Sequence, residues 1–100
     1  MDISNQERIW QVVNHIPACK VASYGQVATQ AGLPLAARMV GNVLGQLPVN
    51  TQLPWHRVVN SQGKISFTKD SSRYIEQKQR LLKEGIVFNN EKIPCHYFVW

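Results

Sequence analysis

The sequence predicts a mainly α-helical domain with a small β-hairpin, the arrangement of a winged helix-turn-helix. Apolar residues recur at helical spacing in several segments, and a tight turn separates a short helix from a longer one. Two β-prone runs also flank a Ser-Gln-Gly turn. Because 100 residues suit one compact domain, we expect residues 1–100 to form a single domain.

The first helix is predicted from a capping box followed by an apolar repeat. Ser4 and Glu7 have the spacing in which a serine side chain caps a helix and a glutamate three residues later reaches back to it. Apolar residues then recur at helical spacing over residues 9–16, and Pro17 ends the repeat.

The helix-turn-helix is predicted from the next segment. A short helix is expected over residues 26–31, with Gly32 at the following position, where left-handed backbone is common. Residues 33–35 form a tight connection to a longer helix over residues 36–47. The apolar face of that helix, expected to meet the core, carries Val40, Val43, Leu44 and Leu47.

The opposite face of the longer helix is almost without side chains. Ala37, Gly41 and Gly45 lie four residues apart there, beside Arg38 and Asn42. A glycine inside a helix costs about 1 kcal/mol relative to alanine, so two on one face indicate close approach of another surface. The alternative is a contact between this face and another helix of the same fold.

A hairpin wing is predicted from residues 58–59 and 65–67, which flank the turn at residues 61–63. Two β-prone runs separated by a short glycine-containing turn are typical of two antiparallel strands.

A last helix and an aromatic tail follow the wing. Ser72 is expected to cap the helix, Gly85 to end it, and residues 86–88 to form a short strand. The tail over residues 94–100 is expected to fold back over the core. The residues that keep helical spacing in this segment are Tyr74, Ile75, Lys78, Leu81 and Leu82.

Composition favours a polyanionic partner. Lysine and arginine outnumber aspartate and glutamate by 11 to 6, and the isoelectric point is near 9.6. No segment has the length of a membrane span, and the first residues lack a secretory signal. Cys19 and Cys95 match no metal motif, so we expect a reduced cytoplasmic or nucleoid setting and neither metal nor cofactor.

Three ordered segments carry a resemblance to a known family. They read VASYGQVA over residues 21–28, ARMVG over residues 37–41 and LPWHRVV over residues 53–59. These segments are similar to the Tyr-Gly, Arg-Ala-Val-Gly and Pro-Cys-His-Arg-Val-Val segments in the C-terminal domain of O6-alkylguanine-DNA alkyltransferases. The resemblance covers about residues 7–87 and implies a monomeric domain that binds duplex DNA containing O6-alkylguanine through the minor groove and flips the damaged nucleotide.

Trp55 departs from the pattern of the active enzymes. They have a cysteine there, whose thiolate accepts the alkyl group. An indole offers one N–H donor and no nucleophilic lone pair. Tryptophan at this position marks many alkyltransferase-like proteins, so the resemblance implies lesion binding without transfer. It further implies that the complex flags the lesion for nucleotide excision repair.

The resemblance also implies roles for individual residues. Arg38 resembles the arginine that takes the place of the flipped nucleotide, and Tyr24 resembles the tyrosine that helps rotate its 3′ phosphate. His56 and Glu84 resemble the pair that activates the cysteine of the enzymes. The expected DNA-binding residues are Tyr24, Gly25, Ala37, Arg38, Gly41, Asn42 and Gly45. The expected alkylguanine pocket consists of Pro54, Trp55, His56, Arg57, Val58, Ser66 and Glu84.

Two features differ from the family and two alternative functions stay open. Leu47 stands where the family has an asparagine before proline, and residues 64–72 are unlike its lid over the alkyl group, which predicts a wider pocket. One alternative is an active alkyltransferase that uses Cys95 or Cys19. The other is a winged-helix transcription regulator with no preference for damaged DNA.

Overall fold

The computed structural model describes residues 3–100 of the chain. Within that range the chain forms four α-helices and one two-stranded sheet. Two single turns of 3₁₀ helix lie at Trp55–Arg57 and Cys95–Tyr97. The elements in chain order are α1 (Asn5–Asn14), β1 (Ala22–Ser23), α2 (Tyr24–Gln30), α3 (Ala37–Gly45), β2 (Val58–Val59) and α4 (Ser72–Lys83).

Side-chain caps fix the starts of the first two helices. The Ser4 hydroxyl accepts a hydrogen bond from the Glu7 backbone N–H at 3.1 Å, which confirms the predicted start of α1. Ser23 and Gln26 form a complete capping box, so α2 begins at Tyr24, two residues before the predicted start. Gly32 has φ +78° and ends the helix as predicted.

The helix-turn-helix formed by α2 and α3 is confirmed, although α3 is shorter than predicted. Val40 and Leu44 are buried, and Val43 and Leu47 are half-buried against the same core. The backbone N–H groups of residues 46 and 47 bond to carbonyls three residues earlier, at 3.3 Å in both cases. This tight last turn ends the α-helix at Gly45.

The small sheet pairs different strands from those predicted. β2 runs parallel to β1, with Ala22 opposite Val58 and Ser23 opposite Val59. The predicted hairpin between residues 58–59 and 65–67 is therefore wrong. All four paired residues are buried, so pairing with β1 places β2 inside the core rather than on an exposed wing.

The turn predicted within that hairpin is nevertheless present. The Asn60 side-chain carbonyl accepts hydrogen bonds from the backbone N–H groups of Gln62 and Lys64, at 2.9 Å and 3.0 Å. Gly63 has φ +80°, and its carbonyl accepts from the Ile93 N–H at 2.8 Å. The chain after the turn contacts the C-terminal segment at Gly63 and does not return along β2.

The aromatic tail folds back over the core, as predicted. The Val21 N–H donates to the Tyr97 carbonyl at 3.0 Å, and the Val99 N–H donates to the Val21 carbonyl at 2.9 Å. Tyr97 and Phe98 pack against a buried cluster that includes Ile86. Residues 86–88 do not form the predicted strand; Ile86 is buried and Phe88 half-buried in this cluster without strand pairing.

Helix α4 is present where it was predicted. Its cap is Ser71 rather than Ser72, and Gly85, with φ +99°, ends it as expected. Of the residues with helical spacing, Leu81 is buried, whereas Ile75 and Leu82 are 44% and 50% exposed. The buried face carries Leu81 and Gln77, because the amide of that glutamine finds hydrogen-bond partners inside the fold.

Two hydrophobic clusters form the core. The larger lies among α1, α2, α3 and β2, and the smaller joins Val21, Val59 and α4 to the C-terminal segment. Across residues 3–100, every helix is too short or too polar to span a membrane.

Candidate nucleic-acid interface

The outer face of α3 is flat and accessible. Arg38, Asn42 and Gly45 are exposed, and Ala37 and Gly41 are half-buried. A Cβ atom built on Gly45 would meet nothing within 4 Å, and one on Gly41 would meet only a ring carbon of Tyr24, at 4.0 Å. The alternative interpretation, a close helix–helix contact within the described fold, is therefore wrong. The glycines leave room for a surface outside the described chain.

A cleft adjoins this face. It has a volume of about 70 Å³ and includes Gly41 and Gly45 in its wall, so the flat face of α3 borders its rim. Trp55 forms another part of the wall. The complete lining is Tyr24, Gly41, Leu44, Gly45, Trp55, Val58, Phe67, Arg73 and Gln77.

Larger depressions lie elsewhere on the surface. One of about 370 Å³ separates the turn at residues 61–62 from the C-terminal segment, and one of about 720 Å³ lies beside Trp100 and Leu35. Neither includes Trp55, Gly41 or Gly45, although the second reaches Ala37 at the start of the flat face. We take the smaller cleft as the candidate base pocket because it joins both features.

Aromatic and cationic groups surround the Trp55 indole. The Phe67 ring packs edge-on against the indole at 6.2 Å between ring centroids. The imidazole of the adjacent residue, His56, is also edge-on at 6.2 Å. The guanidinium carbons of Arg73 and Arg80 lie 5.8 Å and 5.6 Å from the indole centroid, within the range of cation–π attraction. These contacts fix the ring as a rigid wall of the cleft.

Glu84 organises the base of the motif that contains Trp55. Its carboxylate accepts hydrogen bonds from His56 Nε2 at 2.7 Å and from Arg57 Nη2 at 2.8 Å. It also accepts from the Cys19 backbone N–H at 3.2 Å. Arg57 donates in addition to the Ile16 carbonyl at 2.8 Å. Arg57 therefore ties three segments together, and its guanidinium is occupied within the fold.

The protonation states follow from this network. Burial raises the pKa of Glu84, but the hydrogen bonds from Arg57, His56 and Cys19 outweigh it and lower that pKa to about 2. Burial lowers the pKa of His56 below its ordinary 6.5, against the opposing hydrogen bond and charge of Glu84. At neutral pH the pair is thus a carboxylate and a neutral imidazole that donates from Nε2.

The structure places some of the predicted site residues in the cleft wall and others outside it. Trp55 and Val58 line the cleft, whereas Pro54, His56, Arg57 and Glu84 do not line it. Of that second group, His56, Arg57 and Glu84 are joined by the hydrogen bonds that hold the motif. Of the predicted DNA-binding residues, Tyr24, Gly41 and Gly45 line the cleft, while Gly25, Arg38 and Asn42 are exposed on the surface.

Some predicted and observed lining residues differ. Ser66 is exposed and is not part of the cleft wall; its neighbour Phe67 is. Sequence reasoning also missed Arg73 and Gln77 of α4. A signal for Gln77 was present, since it stands four residues before Leu81 on the apolar face of the helix, where a polar residue needs a reason.

Comparisons with known proteins show which family this chain belongs to. The family model described as "6-O-methylguanine DNA methyltransferase, DNA binding domain" matches residues 4–86. A protein named "DNA base-flipping protein" from Escherichia coli (strain K12) is 51% identical over 95 residues, covering 94% of this chain and 72% of that protein. "Alkyltransferase-like protein 1" from Schizosaccharomyces pombe is 42% identical over 79 residues, covering 79% of this chain and 73% of that protein.

Solved structures show the same similarity in three dimensions. The crystal structure of S. pombe Atl1 in complex with damaged DNA containing O6-carboxymethylguanine matches with a TM-score of 0.86 and 34% identity, covering 100% of this chain and 98% of that one. Mycobacterium tuberculosis O6-methylguanine methyltransferase matches with a TM-score of 0.70 and 33% identity, covering 84% of this chain and 50% of that one. The chain therefore belongs to the family of the 6-O-methylguanine DNA methyltransferase DNA-binding domain, among its alkyltransferase-like members.

Proposed function

We propose that this protein binds O6-alkylguanine in duplex DNA, flips the damaged nucleotide into the Trp55 cleft and leaves the alkyl group in place. One observation carries the proposal: the cleft that contains Trp55 shares Gly41 and Gly45 with the flat outer face of α3. A base leaving a duplex docked on that face has a short path to the indole. The similarity to a protein solved with O6-carboxymethylguanine DNA supports the same mode of binding.

The flat face favours the minor groove. That groove is only about 6 Å wide, so a helix with ordinary side chains does not fit into it. A face of alanine and glycine, with open space beyond Gly45, allows the backbone of α3 to approach. The net charge of +5 supplies attraction to the phosphates, so binding should weaken steeply as salt rises.

Arg38 and Tyr24 are suited to stabilise the flipped state. Arg38 is exposed in the first turn of α3, and a guanidinium both stacks on bases and donates hydrogen bonds to an unpaired base. Tyr24 lies between the flat face and the cleft, with a ring carbon 4.0 Å from the Cβ position of Gly41. It is placed to contact the backbone of a nucleotide that crosses from the duplex to the cleft.

Chemistry at the cleft supports binding without transfer. Alkyl transfer requires a nucleophile in line with the alkyl carbon, and the Trp55 indole offers none at neutral pH. Cys19 and Cys95 do not line the cleft. Cys19 is half-buried next to the Glu84 carboxylate, and Cys95 is exposed in the tail.

A lesion that is bound but not repaired needs a second step. We propose that the monomeric complex marks the site for nucleotide excision repair in the cytoplasm, on the nucleoid where the cell has one. The whole of residues 1–100 would act as one recognition domain. The protein's part is then to convert a small chemical change into an extrahelical nucleotide that other proteins detect.

Base flipping is tested with Arg38→Ala. A fluorescent adenine analogue placed next to O6-methylguanine should brighten when the wild-type protein flips the lesion, because stacking quenches it. We expect Arg38→Ala to reduce this signal at saturation and to weaken lesion binding by about 1–3 kcal/mol, the scale of base stacking. Lys83→Ala, at an exposed residue in the last turn of α4, controls for loss of charge alone. An undiminished signal from Arg38→Ala would show that this arginine does not take the place of the flipped nucleotide.

Docking of α3 is tested with Gly45→Gln. Nothing lies within 4 Å of the Cβ position, and glutamine has a higher helix propensity than glycine, so the free energy of unfolding should hold or rise by up to about 1 kcal/mol. DNA affinity should nevertheless fall at least about tenfold, because the added side chain keeps α3 away from the groove. A tenfold loss corresponds to 1.4 kcal/mol of binding free energy. Asn14→Gln, at the exposed last residue of α1, is the matched control. Gel-shift titration and thermal unfolding separate the two effects, and equal affinity for all three proteins contradicts minor-groove docking of this face.

A further inference from the structure

The turn between α2 and α3 holds a leucine where the backbone does not favour one. The Ala36 N–H donates to the Leu33 carbonyl at 3.2 Å, which closes a β-turn with Pro34 and Leu35 at its centre. Leu35 has φ +67°, in the left-handed region. A turn with proline at its second residue and left-handed backbone at its third typically has glycine or asparagine there, because a Cβ atom is strained in that conformation.

The Leu35 side chain gains no packing in return. It is fully exposed, whereas Leu33 at the start of the same turn packs against the larger hydrophobic cluster. Single exposed apolar residues are common on protein surfaces, so exposure alone indicates little. At Leu35, however, an exposed apolar side chain coincides with an unfavourable backbone conformation. Since neither feature stabilises the fold, the reason for this leucine lies in a surface outside the described chain.

Leu35 stands at one end of the flat face of α3. It comes two residues before Ala37, where that face begins, and three before Arg38. The depression of about 720 Å³ has Leu35, Ala37 and Gly25 in its wall, and the last two are among the residues expected to bind DNA. The Trp55 cleft lies toward the other end of the face. The surface around Leu35 is therefore continuous with the face that we propose docks on DNA.

The minor groove suits an apolar side chain at this position. Its interior presents sugar C–H groups and base edges, and proteins that bind there frequently insert leucine or a similar residue against a base step, which partly unstacks it. We propose that Leu35 inserts into the minor groove beside Arg38, on the side away from the Trp55 cleft, and stabilises the unstacked duplex. This inference rests on the proposed function, because it assumes that α3 docks in that groove.

An apolar contact of this kind differs from a phosphate contact in its response to salt. A lysine or arginine that neutralises a phosphate releases counterions, so its removal makes the affinity depend less steeply on salt. Leu35 carries no charge and stabilises the complex by removing apolar area from water. Loss of Leu35 should therefore lower the affinity by the same factor at every salt concentration.

The test replaces Leu35 with asparagine, which suits a left-handed turn position, so the melting temperature should stay within about 5 °C of the wild-type value. Affinity for an O6-methylguanine duplex should fall about tenfold with an unchanged salt slope, as for one leucine that is no longer buried. Leu35→Met keeps an apolar side chain and should bind within about threefold of wild type. Val87→Asn, at an exposed apolar residue outside both the depression and the cleft, should bind as the wild type does.

A second measurement needs no variant. Carbon-13 labelling of leucine methyl groups in the wild-type protein allows nuclear Overhauser contacts to unlabelled DNA to be recorded in the complex. The Leu35 methyl groups should show contacts to sugar H1′ and H4′ protons or to adenine H2, which lie in the minor groove. Contacts to thymine methyl groups instead would place Leu35 in the major groove, and an absence of contacts would leave it outside the duplex; either result overturns the proposal.

The outcomes separate this inference from the proposed function. If the wild-type protein binds guanine and O6-methylguanine duplexes equally, lesion recognition itself is wrong. If it prefers O6-methylguanine but Leu35→Asn binds that duplex within about twofold of wild type, lesion recognition stands and the role of Leu35 is wrong. A tenfold loss accompanied by a shallower salt slope also contradicts insertion, because it would assign the effect to phosphate contacts.

Discussion

Replacing Glu84 with alanine is expected to lower the free energy of unfolding by about 3 kcal/mol, at the lower end for a broken buried ion pair because some solvent reaches it. The side chains of Arg57 and Glu84 are only 18% and 15% exposed, so the substitution would leave a guanidinium charge largely buried without its partner. His56 and the Cys19 backbone N–H would lose their acceptor as well. Denaturant titration at pH 7 measures the change.

A matched control uses the exposed ion pair of α4. Glu76 and Arg80 lie four residues apart with side chains 44% and 41% exposed, so Glu76→Ala should cost no more than about 0.5 kcal/mol. If the two alanine variants lose the same small amount, the Glu84 network does not stabilise the motif around Trp55.

Acid should destabilise the protein through the same network. The Glu84 pKa falls from 4.5 to about 2 on folding, so its contribution is complete above pH 4.5 and is lost as pH falls toward 2. The His56 pKa is also lowered, which means that the unfolded chain takes up the proton first and that stability begins to fall below about 6.5. Glu84→Ala should flatten the loss between pH 4.5 and 2, and an unchanged slope would contradict the assignment.

Trp55→Cys restores the Pro-Cys-His-Arg sequence of the enzymes but is expected to transfer little or no methyl group. In-line displacement needs the sulfur and the alkyl carbon about 3–3.5 Å apart, and a 1 Å error can cost about a hundredfold in rate. The Trp55 indole contacts Phe67, Arg73 and Arg80, so its removal leaves a void that lets the flipped base move. We expect affinity for the O6-methylguanine duplex to fall about tenfold or more, which corresponds to 1.4 kcal/mol.

Peptide mass spectrometry after incubation with O6-methylguanine DNA reads methylation at position 55 directly. Trp55→Phe is the control for the cleft, because it keeps an aromatic wall and should retain more lesion affinity than Trp55→Cys. Rapid methylation of most of the Trp55→Cys protein would show that the pocket is still aligned for catalysis, and that one residue separates this protein from the enzymes.

Local patterns in the sequence predicted the helices well. The Ser4 cap, the left-handed Gly32 and the end of α4 at Gly85 depend on residues a few positions apart, and the structure confirms each. The three family segments placed Trp55 and Val58 in one alkylguanine pocket; both line one cleft, and its role as that pocket stays a prediction. The helix predictions succeeded because capping and turn chemistry act over short distances along the chain.

The same local patterns did not predict which segments pair when they lie far apart in the chain. Val58–Val59 has the composition of a strand, but nothing local distinguishes a partner at residues 65–67 from the parallel partner at Ala22–Ser23. The choice depends on which pairing buries both valines, and that follows from how the helices pack. Gln77 is similar, since its burial depends on carbonyls about 20 positions away in the chain.

Binding to two matched duplexes tests the central claim most directly. The duplexes share one sequence and differ by a single methyl group on one guanine O6, and fluorescence anisotropy at one fixed salt concentration gives both dissociation constants, as phosphate contacts make affinity depend on salt. We predict at least about tenfold tighter binding to the methylated duplex, or 1.4 kcal/mol of discrimination, with the methyl group still on the DNA afterwards. Equal affinities, or a methyl group recovered on the protein, would contradict recognition of O6-alkylguanine without transfer.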